Sequence, residues 1–145
     1  MDPYELEGVL AHGVRRGPSP MITLLLVMVA GGIGVGLRFL IEGLVSAQSS
    51  QSFPWATLLI NLLGAFAIGV VVEVVPTSPD AAMHVRPALA MGLLGGFTTF
   101  SAFALESITL LETGELLRAG IYIGATNVVG IAACAGGLLL GRSVM

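Results

Sequence analysis

The residues that could do chemistry in this chain are amides, hydroxyls and aromatic rings inside long apolar segments. Thr57, Asn61 and Gly64 follow the spacing i, i+4, i+7, which places them on one face of a helix. An Asn amide has two donor hydrogens and an acceptor oxygen to satisfy, so at this position it faces protein or a polar path. The alternative interpretation is an interhelical hydrogen bond that holds helices together.

Two rings add to this pattern. Phe100 and Phe103 lie three residues apart, on one helical face, and directly follow a stretch of Gly and Thr. The edge of an aromatic ring is positive, so rings beside amide and hydroxyl donors form a weakly polar path that suits a small anion. Packing against other side chains or lipid is the alternative. Further polar candidates near these rings or on the last apolar segment are Thr99, Ser101, Glu106, Tyr122 and Thr126.

Acid–base, nucleophilic and metal catalysis have no residues at the right spacing. His12 lies in a polar N-terminal stretch and His84 in an expected loop, so neither can assist a nucleophile inside an apolar segment. Cys134, the single cysteine, lies in an apolar run without a His or acidic neighbour and is expected to be a packed residue. These residues predict that the chain is not an enzyme.

Charge weighs against two other classes of protein. The chain has six Arg and no Lys and a net charge of −3, without the basic stripe that nucleic acid requires. Glu42, Glu73 and Glu106 lie toward the ends of apolar segments, whereas a proton-coupled secondary transporter needs a carboxylate in the middle of a span. Small transporters of this kind and non-transporting assembly proteins remain the alternatives to a channel.

Composition indicates that the elements carrying these residues lie in lipid. The chain has 145 residues, of which 55% are hydrophobic and 10% charged, whereas a soluble domain has about 25% charged residues. We predict an all-α integral membrane protein with four transmembrane helices, each long enough for a hydrocarbon core of about 30 Å. The expected spans are 21–40, 55–75, 87–111 and 120–140, with polar loops at 42–54, 76–86 and 112–119.

The two ends of the chain differ in character. Residues 1–20 are polar, rich in Pro and Gly and without an apolar core, so they are not a signal peptide and are expected to be a disordered tail. Residues 21–145 form the membrane domain. Glycine pairs at i, i+4 allow close packing of helix backbones. They are Gly32/Gly36, Gly92/Gly96, Gly120/Gly124 and Gly137/Gly141.

The third span contains its own interruption. It holds Gly95 and Gly96 followed by Thr98 and Thr99, and glycine and β-branched threonine in succession weaken a helix. We therefore predict that this helix is broken near the membrane midplane. The freed backbone groups must find partners, so protein or a water-filled path must cover the break.

The arginines give little information on orientation. With four spans both termini lie on one side, together with Arg86, Arg142 and residues 15–16, while Arg38 and Arg118 lie on the other. Without the tail the count is two against two. The positive-inside rule then has almost no preference, which permits insertion in both orientations.

Taken together, these motifs are similar to those of a known family. The stretch 95–103 reads GGFTTFSAF and is followed by Glu106, the stretch 53–64 reads FPWATLLINLLG, and 31–38 is Gly-rich and ends on Arg38. With Tyr122 in the fourth span, the pattern resembles the Fluc/CrcB family of fluoride channels over about 21–142. Ala102 departs from it, since many members have Ser or Thr there.

The resemblance implies a fold and a function. Members are dual-topology antiparallel dimers with two fluoride pathways, formed by two copies of the chain or by paralogous subunits. They reside in the cell's inner (plasma) membrane and act as passive channels. Fluoride that enters the cytoplasm as the neutral acid leaks out through them, which protects metal-dependent enzymes.

The resemblance also implies roles for individual residues. Phe100 and Phe103 resemble the rings that line the pathways, and Asn61 resembles the amide that contacts fluoride. The backbone carbonyls of Gly95 and Thr98 are implied to hold a structural Na⁺ at the dimer centre, a cation that suits carbonyl oxygens. Arg38 is implied to anchor the bundle. The implied polar-track or vestibule residues are Thr57, Thr99, Ser101, Glu106, Tyr122 and Thr126.

Overall fold

A computed structural model describes residues 20–48, 53–75, 78 and 81–145, and all of their regular elements are helical. Helix α1 covers Pro20–Gln48 and α2 covers Trp55–Val74. The third span consists of α3, residues 81–97, and α4, Phe100–Glu112; α5 covers Leu116–Val144. Among the described residues, four helical segments are long and apolar enough to cross a membrane, which confirms the predicted all-α, four-span architecture.

Several predicted boundaries are wrong. The predicted loop at 42–54 begins too early, because α1 continues to Gln48. Glu42 pairs with Arg38 one turn earlier on the same helix, and such i, i+4 pairs favour continued helix. The third span begins at residue 81 and the fourth at Leu116, directly after a turn at Gly114 (φ +79°). Apart from Pro20, the predicted disordered tail lies outside the described residues.

The third helix is broken, as the sequence predicts. Its first part contains wide π-type turns over Ala88–Leu94, and one further turn over Gly95–Phe97 ends it. Thr98 (φ −78°, ψ 158°) and Thr99 (φ −146°, ψ 114°) are extended, and α4 begins at the next residue. The break lies near the middle of the 32-residue span.

Glycines let the helices approach each other closely. The most extensive pairs are α2 with α5 and α1 with α3. A Cβ at Gly34 would lie 2.1 Å from the Leu93 carbonyl oxygen, and one at Gly137 would lie 2.1 Å from that of Phe66. Two of the predicted glycine pairs, in α3 and in the second half of α5, make such contacts. The pairs Gly32/Gly36 and Gly120/Gly124 face open space in the single chain.

The outer surface of the bundle is apolar. Large hydrophobic side chains are exposed on every span, among them Met28, Phe39, Met91, Leu117 and Ile131. A monomeric soluble protein rarely exposes so continuous an apolar surface. The surface is therefore one that lipid, or another membrane-embedded chain, covers.

Candidate functional site

The break in the third span is held by an amide from α2. The Asn61 Nδ2 donates to the Thr99 carbonyl oxygen (3.1 Å), and the Thr99 backbone N–H donates to Asn61 Oδ1 (2.9 Å). This pairing fixes which end of the amide is nitrogen, since one partner is a donor and the other an acceptor. The interhelical hydrogen bond that was the alternative reading of Asn61 is therefore present.

Thr99 also starts the helix that follows. Its Oγ1 accepts a hydrogen bond from the Ala102 backbone N–H (3.2 Å), which is the N-cap interaction of α4. The same oxygen lies 3.2 Å from the Ser101 hydroxyl. Ser and Thr at this position are good caps because their short side chains satisfy N–H groups that have no intrahelical partner.

Because of these bonds, two backbone carbonyls lose the N–H donors that they would have in a regular helix. In an unbroken helix the N–H of Thr99 would bond the Gly95 carbonyl, and that of Ala102 would bond the Thr98 carbonyl. Instead they go to Asn61 and to the Thr99 side chain. The last regular bond of α3 runs from the Thr98 N–H to the Leu94 carbonyl (2.9 Å). Gly95 and Thr98 therefore have carbonyl oxygens freed from their helical donors by the break.

A carboxylate joins three helices beside this site. Glu106 of α4 accepts a hydrogen bond from the Thr57 hydroxyl at Oε1 (2.8 Å) and from the Tyr122 hydroxyl at Oε2 (2.6 Å). Both donors are buried, Thr57 with 3% and Tyr122 with 0% of its surface exposed. The cluster ties α2, α4 and α5 together at one level.

Aromatic rings form a continuous series next to the carboxylate. Phe53 meets Tyr122 edge to face (centroids 5.7 Å apart, 82°), Tyr122 meets Phe103 (5.3 Å), and Phe103 meets Phe100 (5.6 Å). Phe103 is 9% exposed and packs in the core, whereas Phe100 is 78% exposed in the single chain. The two predicted rings therefore differ: one is fixed by its neighbours and the other projects outward.

Amide, hydroxyl and ring groups meet in one groove of about 370 Å³ between α2, the break and α5. Asn61, Thr99, Phe100, Phe103 and Thr126 all line it, and none of its lining residues is charged. Within the described part of the chain, Thr126 Oγ1 is buried and has no hydrogen-bond partner. A buried hydroxyl in this state has a donor to offer.

Comparison with known proteins agrees with this architecture. The family described as CrcB-like protein, Camphor Resistance (CrcB), matches residues 25–138. The chain belongs to this family. A Rhizobium etli protein named fluoride-specific ion channel FluC is 43% identical over 125 residues, covering 86% of this chain and 100% of that protein. Proteins of the same name from Agrobacterium fabrum (43% identical) and Geobacter sulfurreducens (36%) match over 124 residues, 86% of this chain and 99% and 100% of those proteins.

In this CrcB-family chain, the predicted site residues are divided between two cavities and the hydrogen-bonded cluster around Glu106. Arg38 and Ser101 line a second cavity of about 380 Å³, together with Glu42, on the α1 side of α4. Thr99 lines both cavities. Thr57, Glu106 and Tyr122 form the hydrogen-bonded cluster and are outside the lining of either.

Sequence reasoning missed two members of this region of the CrcB fold. Phe53 extends the aromatic series, and its signal was its place directly before Pro54 in the second-span motif. Glu42 was assigned to a loop, yet it lies on α1 and its Oε1 is 3.9 Å from Arg38 Nε. The helical position of Glu42 is apparent only from the structure, in which α1 extends to Gln48.

Proposed function

We propose that this chain is a fluoride-specific channel that lets cytoplasmic fluoride leave the cell down its electrochemical gradient and so limits fluoride toxicity. The relatives bear the name of a fluoride-specific ion channel, and none of those described is named as an enzyme. The observation that carries the proposal is the uncharged groove beside the break, where amide, hydroxyl and ring groups converge. The protein is a multi-pass membrane protein, and the inner (plasma) membrane is its proposed location.

The groove supplies donors in place of the water around fluoride. Asn61 keeps one amide hydrogen that Thr99 does not take, and the Thr126 hydroxyl has no partner among the described residues. The edges of Phe100 and Phe103 add positive potential without a fixed charge. Conduction requires binding that is favourable enough to admit the ion and weak enough to release it. Neutral donors meet both conditions better than a buried cation would.

Hydroxyls continue the proposed route on either side of the rings. Thr99 and Ser101 lie on the side of the second cavity, 3.2 Å apart between their hydroxyl oxygens. Thr57 and Tyr122 lie on the other side of Phe103 and hold Glu106 in place through their hydroxyls. Each of these two hydroxyls donates its only hydrogen to Glu106, so the cluster holds the wall of the route in place and does not itself donate to the anion.

A second copy in antiparallel orientation would complete the pathway. Phe100 projects from the single chain with 78% of its surface exposed, a position that a partner in the membrane would cover. Gly32 and Gly36 present a small-residue face on α1 with open space above it. Of the arginines in the described residues, Arg38 and Arg118 lie on one side and Arg86 and Arg142 on the other. Such balance suits a chain that inserts both ways.

The break fits the structural Na⁺ that the family resemblance implies. The freed carbonyls of Gly95 and Thr98 are hard oxygen donors, and both residues line the same groove. Na⁺ would hold these carbonyls together across two copies and would not be transported. In the chain itself, Asn61 and the Thr99 cap keep the carbonyls free by taking the two N–H groups that would otherwise bond them.

Ion flux from proteoliposomes tests the function. Vesicles containing the purified protein are loaded with potassium fluoride or potassium chloride and made permeable to K⁺ with an ionophore. Anion efflux is then followed with ion-selective electrodes. We expect fluoride efflux without ATP and without a proton gradient, and chloride efflux far below it. Absence of fluoride efflux, or efflux that stops when the proton gradient is collapsed, contradicts a passive channel and favours a coupled transporter.

A further inference from the structure

The second cavity contains a pair of opposite charges, both on α1. Gly34 of α1 packs against the backbone of Leu93 and Phe97, just before the break. Arg38 lies one helical turn, about 5.4 Å, further along α1, and Glu42 one turn beyond that. Both therefore lie level with the first turns of α4, in the half of α1 that leads to Gln48.

Charged side chains on a membrane-spanning helix must have water or protein around them. The side chain of Arg38 is 26% exposed and that of Glu42 is 40% exposed, so neither is enclosed by the chain. Both line the cavity of about 380 Å³, whose other polar groups are Thr99 and Ser101. The cavity is thus a charged cleft that ends at the hydroxyls of the break.

The charge pair is close but loosely joined. Arg38 Nε and Glu42 Oε1 are 3.9 Å apart, at the outer limit of an ion pair, and no hydrogen bond links them. The guanidinium would attract anions into the cleft, and the neighbouring carboxylate offsets that attraction. The net charge of the pair is zero, although the two charges can act separately on an ion that approaches one of them.

We propose that Glu42 limits the supply of fluoride to the break by neutralising Arg38. The proposal rests on the proposed fluoride route, since Thr99 lines both this cleft and the uncharged groove. Removal of the carboxylate charge leaves Arg38 uncompensated and raises the local fluoride concentration. Coulomb's law for one charge at about 10 Å in water gives about a twofold increase. Salt screens such an effect, with a Debye length of about 10 Å at 0.1 M.

The experiment compares Glu42→Gln with the parent in proteoliposomes at subsaturating fluoride, at low and at high ionic strength. We expect the variant to pass fluoride about twice as fast as the parent at low ionic strength and equally fast at high ionic strength. Glu42→Asp, which keeps the charge, should behave as the parent does. Glu112→Gln, at the exposed end of α4, makes the same charge change outside the cleft and should leave the rate unchanged.

The outcomes separate the proposal from the function on which it rests. If the parent passes no fluoride, the proposed function fails. If the parent conducts and Glu42→Gln equals it at low salt, or is slower at both salt concentrations, Glu42 does not limit fluoride supply. Should Glu42→Gln not elute as the parent does, Glu42→Ala is measured in its place. If neither uncharged variant can be isolated, the pair holds the fold together and the proposal is wrong.

Discussion

At the level of the residue, Asn61 both accepts and donates hydrogen bonds, and one substitution separates the two roles. Its oxygen accepts from the Thr99 N–H, and its nitrogen donates to the Thr99 carbonyl while keeping a second hydrogen. Asn61→Asp retains the first bond and loses every donor. The retained bond gains a charged acceptor, whereas the second carboxylate oxygen repels the Thr99 carbonyl, so we expect the variant to fold and elute as the parent does but with a lower thermal midpoint.

Its fluoride efflux, however, should fall by about 10-fold or more. A hydrogen bond to an ion is worth about 1.5–3 kcal/mol, and about 1.4 kcal/mol corresponds to a factor of ten in rate. The added negative charge would lower anion entry further. Asn127→Asp is the matched variant, because it introduces the same charge in the same groove while its amide bonds only its own helix. Parent-like efflux from Asn61→Asp would show that the amide serves packing alone.

Phe100 allows a cleaner test than Phe103, because Phe103 packs in the core and Phe100 is exposed in the single chain. Phe100→Ile keeps apolar bulk but removes the ring edge, and its side chain makes few contacts in the single chain. We expect it to lose most fluoride efflux, about tenfold, while it still elutes as the parent does. Phe39→Ile on α1, at a Phe that is likewise exposed, should conduct normally. Equal efflux from both variants would mean that Phe100 is only a lipid- or partner-facing side chain.

At the scale of the element, the packing of α1 on α3 depends on single glycines. A Cβ at Gly34 would lie 2.1 Å from the Leu93 carbonyl oxygen and 2.9 Å from the Phe97 nitrogen, both backbone atoms that cannot rotate away. Gly34→Ala should therefore lower stability by about 1–3 kcal/mol, the usual cost of overpacking. The change would appear as a lower thermal midpoint of the purified protein.

Gly43→Ala is the control on the same helix. Its Cβ would meet nothing within 4 Å in the chain, and alanine is favoured over glycine in a helix by about 1 kcal/mol. This variant should be at least as stable as the parent. If Gly34→Ala were equally stable, the close contact between α1 and α3 would not be present in the folded protein.

The helices and their contacts also show which structural features the sequence predicts and which it does not. The break was predictable because Gly95, Gly96 and the two threonines each weaken a helix locally. The bond between Asn61 and Thr99 was not, since spacing along α2 gives a face but not its register against another helix. The partners of Glu106 were hidden for the same reason: Thr57 and Tyr122 lie on two other helices. The end of α1 was predicted wrongly because a run of polar residues is typical of a loop when its tertiary contacts are unknown.

At the scale of the whole molecule, the distribution of charge is the feature with the widest consequence. The described arginines are divided evenly between the two halves of the bundle, and three of them pair with a carboxylate nearby in the fold: Arg38 with Glu42, Arg118 with Glu115 and Arg142 with Glu73. Acidic residues contribute little to orientation, which depends on the count of Arg and Lys near the spans. The membrane domain alone therefore carries almost no orientation signal.

A chain trimmed to begin at Met21 should accordingly insert in both orientations. Reporter fusions at Met145, one active only in the cytoplasm and one only outside it, should both give signal. The full-length chain carries two further arginines at 15–16, on the side of the termini, and should have more of its C-termini in the cytoplasm. Adding two Lys after Met145 of the trimmed chain should restore that bias. Exclusively cytoplasmic signal from the trimmed chain would mean a fixed orientation, and an antiparallel dimer would then need an oppositely oriented paralogous subunit.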